Sequence, residues 1–138
     1  MKKILLLLMF TTLWLESGTI CIISSSDFPA RRLSAAQVRA IFLAQKRWIA
    51  DTSVLPINYP PEDPSRQCLE RTILKKSRQS LRRYWLKAHY NGYRPPKVVK
   101  SSEALLAYLR EVPGAIGYVD ANTTLPVWVQ RLHETDCR

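Results

Sequence analysis

The segment EVPGAIGYVDAN, residues 111–122, constrains the fold more than any other part of this chain. Pro113 and Gly114 end a helical pattern, because proline cannot continue a helix and glycine tolerates the backbone angles of a helix end. The apolar run after them is typical of a buried strand. Gly117 inside that strand predicts that another group approaches the backbone closely. The segment therefore predicts a helix, a tight turn and a buried strand in succession.

Residues 1–18 are predicted to be a secretory signal peptide. A pair of lysines precedes the apolar run ILLLLMFTTLWL, and a short polar segment follows it. This run is shorter than the roughly 20 apolar residues that a membrane span needs, and an uncleaved anchor is the alternative interpretation. We expect one exported domain over residues 19–138, since a chain of 138 residues with 46% apolar content has room for a single core.

The three cysteines bear on the compartment. Export would place Cys21, Cys68 and Cys137 in an oxidising environment. They allow one internal disulfide, and all three pairings stay open; a bridge from Cys68 to Cys137 is one of them. Cys21 lies in a predicted buried strand, where a free cysteine commonly acts as a small apolar residue.

Strands and helices are predicted to alternate along the mature chain. The expected strands cover residues 19–24, 54–59, 115–119 and 125–132. Helix starts are marked by Ser34 with Gln37 as a capping box, by Asp63 before Pro64, and by Ser101 or Ser102. This alternation predicts an α/β fold with a mixed, mostly parallel sheet flanked by helices.

Residues 71–100 hold ten basic side chains and no acidic one. One interpretation is a polyanion-binding face, with aromatic side chains available for stacking at Tyr84, Trp85, Tyr90 and Tyr93. The other is a solvated helix face with Tyr84 and Trp85 turned into the core. The second is favoured because Arg78, Arg82 and Lys87 fall on the side of the helix away from Leu81 and Trp85. We expect no nucleic-acid partner, and at most a face that attracts anions or the envelope surface.

The start of the Pro64 helix is the candidate ligand site. Free backbone N–H groups and the positive end of the helix dipole favour an anion there. The Ser65 hydroxyl and the Arg66 guanidinium could grip an oxyanion. A plain helix cap is the alternative, because Pro64 lacks a donor and Asp63 places negative charge at the same point. Ser65 and Arg66 are therefore the predicted oxyanion ligands, and a plain helix cap stays open as the alternative.

Motifs for catalysis are absent from the sequence. There is no G-x-S-x-G elbow and no P-loop, and nothing in the sequence places a nucleophile beside a base. His89 and His133 lack the spacing of a metal site. We predict a non-enzymatic protein without a metal or cofactor.

Four segments resemble phosphate-binding-protein-like domains, which have the type II periplasmic binding fold. They are LSAAQVRAIFLAQKRWIADTSVLPIN, SRQCLERTIL, YWLKAHYNGYRPPK and EVPGAIGYV, in the family's order. Two positions depart from the family pattern, since Ala44 and Thr52 stand where it has glycine. The Gly-Thr pair of the family's phosphate-binding turn is also missing after Ser65.

The resemblance implies a short member, exported to the periplasm, that forms one lobe of the substrate-binding component of a phosphate ABC transporter. It implies inorganic phosphate or a similar anion as ligand, with a homodimer partner or a membrane transporter in place of the missing lobe. The alternative is an envelope interaction module that keeps the lobe, binds no ligand, and meets a transporter or another protein partner through its basic face.

Overall fold

The computed structural model describes residues 18–138, so the predicted signal peptide lies outside the described residues except for Gly18. The strands are β1 Thr19–Ser25, β2 Trp48–Ile49, β3 Thr52–Ser53, β4 Leu55–Asn58, β5 Lys97–Val98, β6 Ala115–Asp120 and β7 Val129–Asp136. The helices are α1 Ala35–Phe42, α2 Pro64–Leu69, α3 Arg78–Tyr90 and α4 Ser102–Glu111, and a π-helical turn, Glu70–Leu74, continues α2. No helix in this described part is long and apolar enough to cross a membrane.

Five strands form one sheet in the order β5-β4-β6-β1-β7. β4 pairs in parallel with β5 and β6, whereas β1 pairs antiparallel with β6 and β7. Four of these strands consequently run in one direction, and β1 alone opposes them. β2 and β3 form a separate small hairpin. The predicted α/β class, with a mixed, mostly parallel sheet and flanking helices, is confirmed.

β1 lies between two strands and has covered faces on both sides. Ile20, Cys21, Ile22 and Ile23 are all buried. A continuous apolar run is what such a strand requires, because neither face meets water. The strand predicted over residues 19–24 is thus confirmed.

The capping box at α1 is also confirmed. The Ser34 hydroxyl accepts a hydrogen bond from the Gln37 backbone N–H at 3.2 Å, and the Gln37 side-chain oxygen accepts one from the Ser34 N–H at 2.8 Å. The face that follows buries Val38, Ile41 and Phe42. Capping therefore fixes where α1 begins, and apolar spacing fixes which side faces the sheet.

The two glycines around β6 make close contacts. Gly114 has a φ of +82°, and a Cβ there would lie 2.0 Å from the Ser53 carbonyl oxygen. A Cβ on Gly117 would lie 2.3 Å from a methyl carbon of Leu105. The close approach predicted at Gly117 is therefore the seating of α4 on the sheet. Tyr118, the next residue, is fully buried.

The prediction of the last strand is wrong in its position. The apolar pattern predicts a strand over residues 125–132, whereas β7 runs from Val129 to Asp136. A turn comes first, since the Val129 N–H donates to the Pro126 carbonyl at 3.1 Å and Val127 is fully exposed. β7 is an edge strand with alternating polar residues, so apolar content alone marks it too early. β2, β3 and β5 have two residues each, too few for a periodic signal.

A disulfide joins Cys68 in α2 to Cys137 after β7, which selects one of the three open pairings. Arg71 strengthens the same junction, because its Nη2 donates to the Cys137 carbonyl at 2.6 Å. Cys21 is free and buried, and burial raises the pKa of its thiol. It therefore serves as a small apolar core residue, as expected.

Candidate functional site

A pocket of about 220 Å³ lies at the carboxyl ends of β4 and β6, beside the starts of α2 and α4. Its lining residues are Tyr59, Asp63, Ser65, Ser101, Ser102, Val119, Asp120 and Thr123. In open α/β sheets ligands bind outside the carboxyl ends of the strands, where helix starts present backbone donors. This "strand-end pocket" is the candidate functional site.

Ser65 reaches the pocket, as the predicted ligand role requires. Its hydroxyl makes no hydrogen bond within the described residues and is available to a ligand. The backbone around it is already engaged, because one Asp63 carboxylate oxygen accepts from the N–H groups of Ser65 at 2.8 Å and Arg66 at 3.3 Å. A ligand in the pocket would therefore meet the Ser65 hydroxyl at the start of α2, and not free backbone N–H groups.

Arg66 is placed differently from Ser65. Its Nη1 donates to the Tyr59 carbonyl at 2.7 Å, and its Nε donates to a Glu70 carboxylate oxygen at 3.0 Å. The guanidinium is absent from the pocket lining. The structure therefore brings Ser65 to the pocket, while Arg66 holds the chain that forms its wall.

Glu70 holds the α2 side of the pocket in place through two ion pairs. It is buried, and its second carboxylate oxygen pairs with Arg78 Nη2 at 2.8 Å. The same Arg78 nitrogen donates to the Pro61 carbonyl at 2.6 Å. Two cations thus neutralise one buried carboxylate and tie the π-helical turn to the loop between β4 and α2. The spacing of Arg66 and Glu70, four residues apart on a predicted helix, was a signal for this pair.

α4 supplies the opposite wall. Ser101 caps it, accepting from the Ala104 N–H at 3.1 Å, and Ser102 follows as the first helical residue. The Thr123 hydroxyl makes no hydrogen bond within the described residues. Sequence reasoning identified Ser101 and Ser102 only as caps. Their meeting with Ser65 depends on the parallel pairing of β4 with β5 and β6, which no local pattern reveals.

The charge of the pocket is negative, in contrast to the +10 of the whole chain. Asp63 and Asp120 line it, and no lysine or arginine does. Asp120 uses one oxygen to accept from the Asn122 N–H at 2.9 Å. A ligand that enters must therefore offer protons to carboxylates, in addition to accepting hydrogen bonds from hydroxyls.

Aromatic residues support the floor of the pocket. The rings of Tyr59 and Tyr118 meet edge to face at 5.1 Å, and the Tyr118 hydroxyl donates to the Asn58 side-chain oxygen. Burial raises the pKa of both tyrosines well above its usual range, and the carboxylate of Asp63 adds to the effect at Tyr59. Both phenols therefore remain protonated at neutral pH.

Other sequence candidates lie outside the pocket. Within residues 18–138, no group of three or more metal-ligating side chains could hold an ion. His133 Nδ1 bonds the Leu33 carbonyl at 3.0 Å. Tyr84 donates to the Leu43 carbonyl at 2.6 Å, and Trp85 packs against the core. Tyr84 and Trp85 are therefore turned inward, as the solvated-face interpretation expects, whereas Tyr90 of the same helix is exposed.

Neither a protein-family model nor a curated protein matches this chain. Among solved structures, it is similar to a candidate phosphate ABC transporter substrate-binding protein from Clostridium perfringens with bound phosphate, at 13% identity and a TM-score of 0.66; the match covers 83% of this chain and 45% of that one. This chain has the fold of a single lobe of such proteins.

Two further structures agree. An ABC-type phosphate transport receptor from Vibrio cholerae matches at 12% identity and a TM-score of 0.64, over 83% of this chain and 46% of that one. PstS from Borrelia burgdorferi matches at 14% identity and a TM-score of 0.58, over 80% and 50%. The chain spans about half the length of the structures it matches.

One departure from the expected glycine pattern has a geometric explanation. Ala44 follows α1 with a φ of 58°, in the left-handed region that glycine adopts most easily. The position therefore has the geometry for which glycine is suited, and alanine carries some strain there. Thr52, at the other substituted position, begins β3 and has no positive φ.

Proposed function

We propose that this chain is an exported, non-enzymatic binding lobe that holds a small protonated oxyanion, phosphate first, in the strand-end pocket. The observation that carries the proposal is the meeting of Ser65, Ser102 and Thr123 in one pocket at the carboxyl ends of parallel strands. Hydroxyls of this kind donate to oxyanion oxygens without adding charge. The fold shared with phosphate-transport binding proteins supports the same assignment.

Asp63 and Asp120 define which oxyanion fits. Two carboxylates repel a fully deprotonated anion, but they accept hydrogen bonds from one that keeps a proton. Phosphate keeps at least one proton at neutral pH, whereas sulfate keeps none. The pocket should consequently prefer phosphate, or arsenate of the same protonation, over sulfate.

In this proposal Ser65 and Arg66 have separate roles. Ser65 contacts the ligand through its hydroxyl. Arg66 acts as a positioning residue, because its bonds to Tyr59 and Glu70 fix the loop that carries Asp63. The pocket lies at the surface of one lobe, and the matched structures are about twice as long. A second copy of the chain, or a membrane transporter, would supply the facing wall.

Isothermal titration of the purified domain with phosphate and with sulfate, at low ionic strength, tests the proposal. We expect a heat of binding in the phosphate titration and none in the sulfate titration. Ser65→Ala should weaken phosphate binding about tenfold, since one hydrogen bond to a charged group is lost. Ser80→Ala is the matched control, because Ser80 lies on α3 outside the pocket lining. Absence of any response at millimolar phosphate would refute oxyanion binding.

A second candidate function is an interaction module that keeps the lobe without an anion. The engagement of Arg66 by Glu70, and of both α2 backbone donors by Asp63, favours it. This function predicts no heat of binding in the phosphate titration, and recovery of a protein partner when the domain is used in a pull-down from an envelope extract.

A further inference from the structure

The outer face of α3 has an unusual composition for a solvated helix. Leu86 and Tyr90, one turn apart, are 63% and 84% exposed. Leu81 and Ala88, on the other side of the helix, are buried. At 100° per residue, Leu86 and Tyr90 occupy the middle of the outward side. Two large apolar side chains of α3 therefore point into solvent instead of into the core.

Three cations flank this apolar strip. Arg82 lies on one side of it, and Arg83 and Lys87 lie on the other, by the same helical spacing. We call these five residues the outer α3 face: Arg82, Arg83, Leu86, Lys87 and Tyr90. All five are exposed. A central apolar strip with long cationic side chains on both edges is typical of helices that lie in a bilayer interface.

The cations of the outer α3 face are not paired with other described residues of the domain. Arg82, Arg83 and Lys87 make no salt bridge or hydrogen bond within the described residues. The surrounding segment, residues 71–100, contains no acidic side chain that could neutralise them. Their mutual repulsion is unfavourable in the isolated domain, and an opposing negative surface would relieve it.

We propose that the outer α3 face docks on an anionic phospholipid bilayer. Fluid lipid headgroups can gather around Arg82, Arg83 and Lys87 without fixed geometry, while Leu86 and Tyr90 enter the boundary of the acyl region. A protein partner would instead need acidic groups at three matched positions and a recess for Leu86. This surface lies on α3, outside the strand-end pocket, so membrane docking goes beyond the proposed ligand binding.

Vesicle co-sedimentation tests this docking. Vesicles of about one-third phosphatidylglycerol in phosphatidylcholine should carry the domain down, and vesicles of phosphatidylcholine alone should not. Each cation near such a surface contributes about fivefold to partitioning. The Arg82→Glu, Arg83→Glu, Lys87→Glu variant should therefore bind at least about a hundredfold more weakly. Raising the salt concentration should weaken wild-type binding as well.

Two comparisons separate docking at this face from general charge attraction. Arg31 and Arg32, in the loop before α1, and Arg110 on α4 are exposed as well, so reversing these three changes net charge equally and should leave most of the binding. Leu86→Ser with Tyr90→Ser keeps every charge and should still weaken binding several-fold. Equal losses in the two charge-reversed variants would overturn the proposal. Wild-type protein that stays in the supernatant with anionic vesicles would also overturn it. So would a charge-reversed α3 variant that binds these vesicles as well as wild type does and loses only the capture of a protein partner.

Discussion

Arg66 Nε lies 3.0 Å from a Glu70 carboxylate oxygen, and both side chains are largely buried. The arginine that the sequence marks as an anion ligand is therefore paired inside the protein. Arg78 completes the neutralisation of Glu70 from the other side. The wall of the strand-end pocket consequently depends on an ion-pair network that a ligand does not need to touch.

Arg66→Ala should lower the free energy of unfolding by about 2–3 kcal/mol, because it leaves Glu70 buried with one cation instead of two. Urea unfolding measures the loss. Arg71→Ala is the control, since Arg71 is exposed and bonds a single carbonyl, and its cost should stay below about 1 kcal/mol. An Arg66→Ala variant as stable as wild type would contradict the positioning role.

Gly117→Ala should destabilise the domain by about 1–3 kcal/mol, because the new methyl group overlaps Leu105. Leu105→Ala alone should also destabilise, by leaving a cavity. Combined, the two substitutions should cost less than the sum of the single effects, since each relieves the other. Strict additivity in thermal unfolding would show that Gly117 and Leu105 do not share this space.

Reduction of the Cys68–Cys137 disulfide should remove about 2–4 kcal/mol of stability, because the bond closes a long loop across the domain. Melting with and without a reducing agent measures the effect. The Cys68→Ala, Cys137→Ala variant should be less stable than wild type and insensitive to the agent. Cys21→Ala should keep the full sensitivity, because Cys21 is unpaired. A melting temperature that reductant leaves unchanged would exclude a stabilising role.

The stability of the domain should fall as pH rises above about 10. Burial raises the pKa of Tyr118 and Tyr59, so the folded state keeps phenol protons that the unfolded state releases in that range. The contribution is complete below the ordinary tyrosine pKa and is lost above it. Tyr118→Phe should be less stable at neutral pH, by about 1 kcal/mol, through loss of the bond to Asn58.

Urea unfolding of wild type and of Tyr118→Phe at about pH 8 and about pH 11 separates these effects. The gap between the two proteins should narrow at the higher pH, because the variant lacks one of the two titrating phenols. A gap that widens with pH would mean that the Tyr118 phenol ionises more readily in the folded state.

Local sequence signals predicted the fold well where one residue fixes one feature. Ser34 with Gln37 marks the start of α1, and Pro113-Gly114 marks the turn into β6, since capping and turn chemistry act over a few residues. The edge strand β7 was placed too early, because its polar residues alternate and the preceding turn is apolar. Mean apolar content is a poor guide to an edge strand.

The candidate site was less predictable, since it depends on contacts between distant parts of the chain. Ser65 and Ser102 meet only after β4 and β6 pair. The Cys68–Cys137 pairing likewise depends on the position of β7 at one edge of the sheet, which no local pattern in the sequence reveals. The helix-start argument pointed to Ser65, which lines the pocket, but it could not foresee that Asp63 would occupy the backbone donors.

Binding of phosphate in the strand-end pocket is tested most directly by mapping backbone amide chemical shifts during a titration with inorganic phosphate at low ionic strength. We predict that the largest shifts fall on Ser65, Ser102 and Thr123, and that sulfate at the same concentration leaves these amides unchanged. Amides that do not move at millimolar phosphate, or shifts that cluster on residues 82–90 of α3 instead, would contradict it.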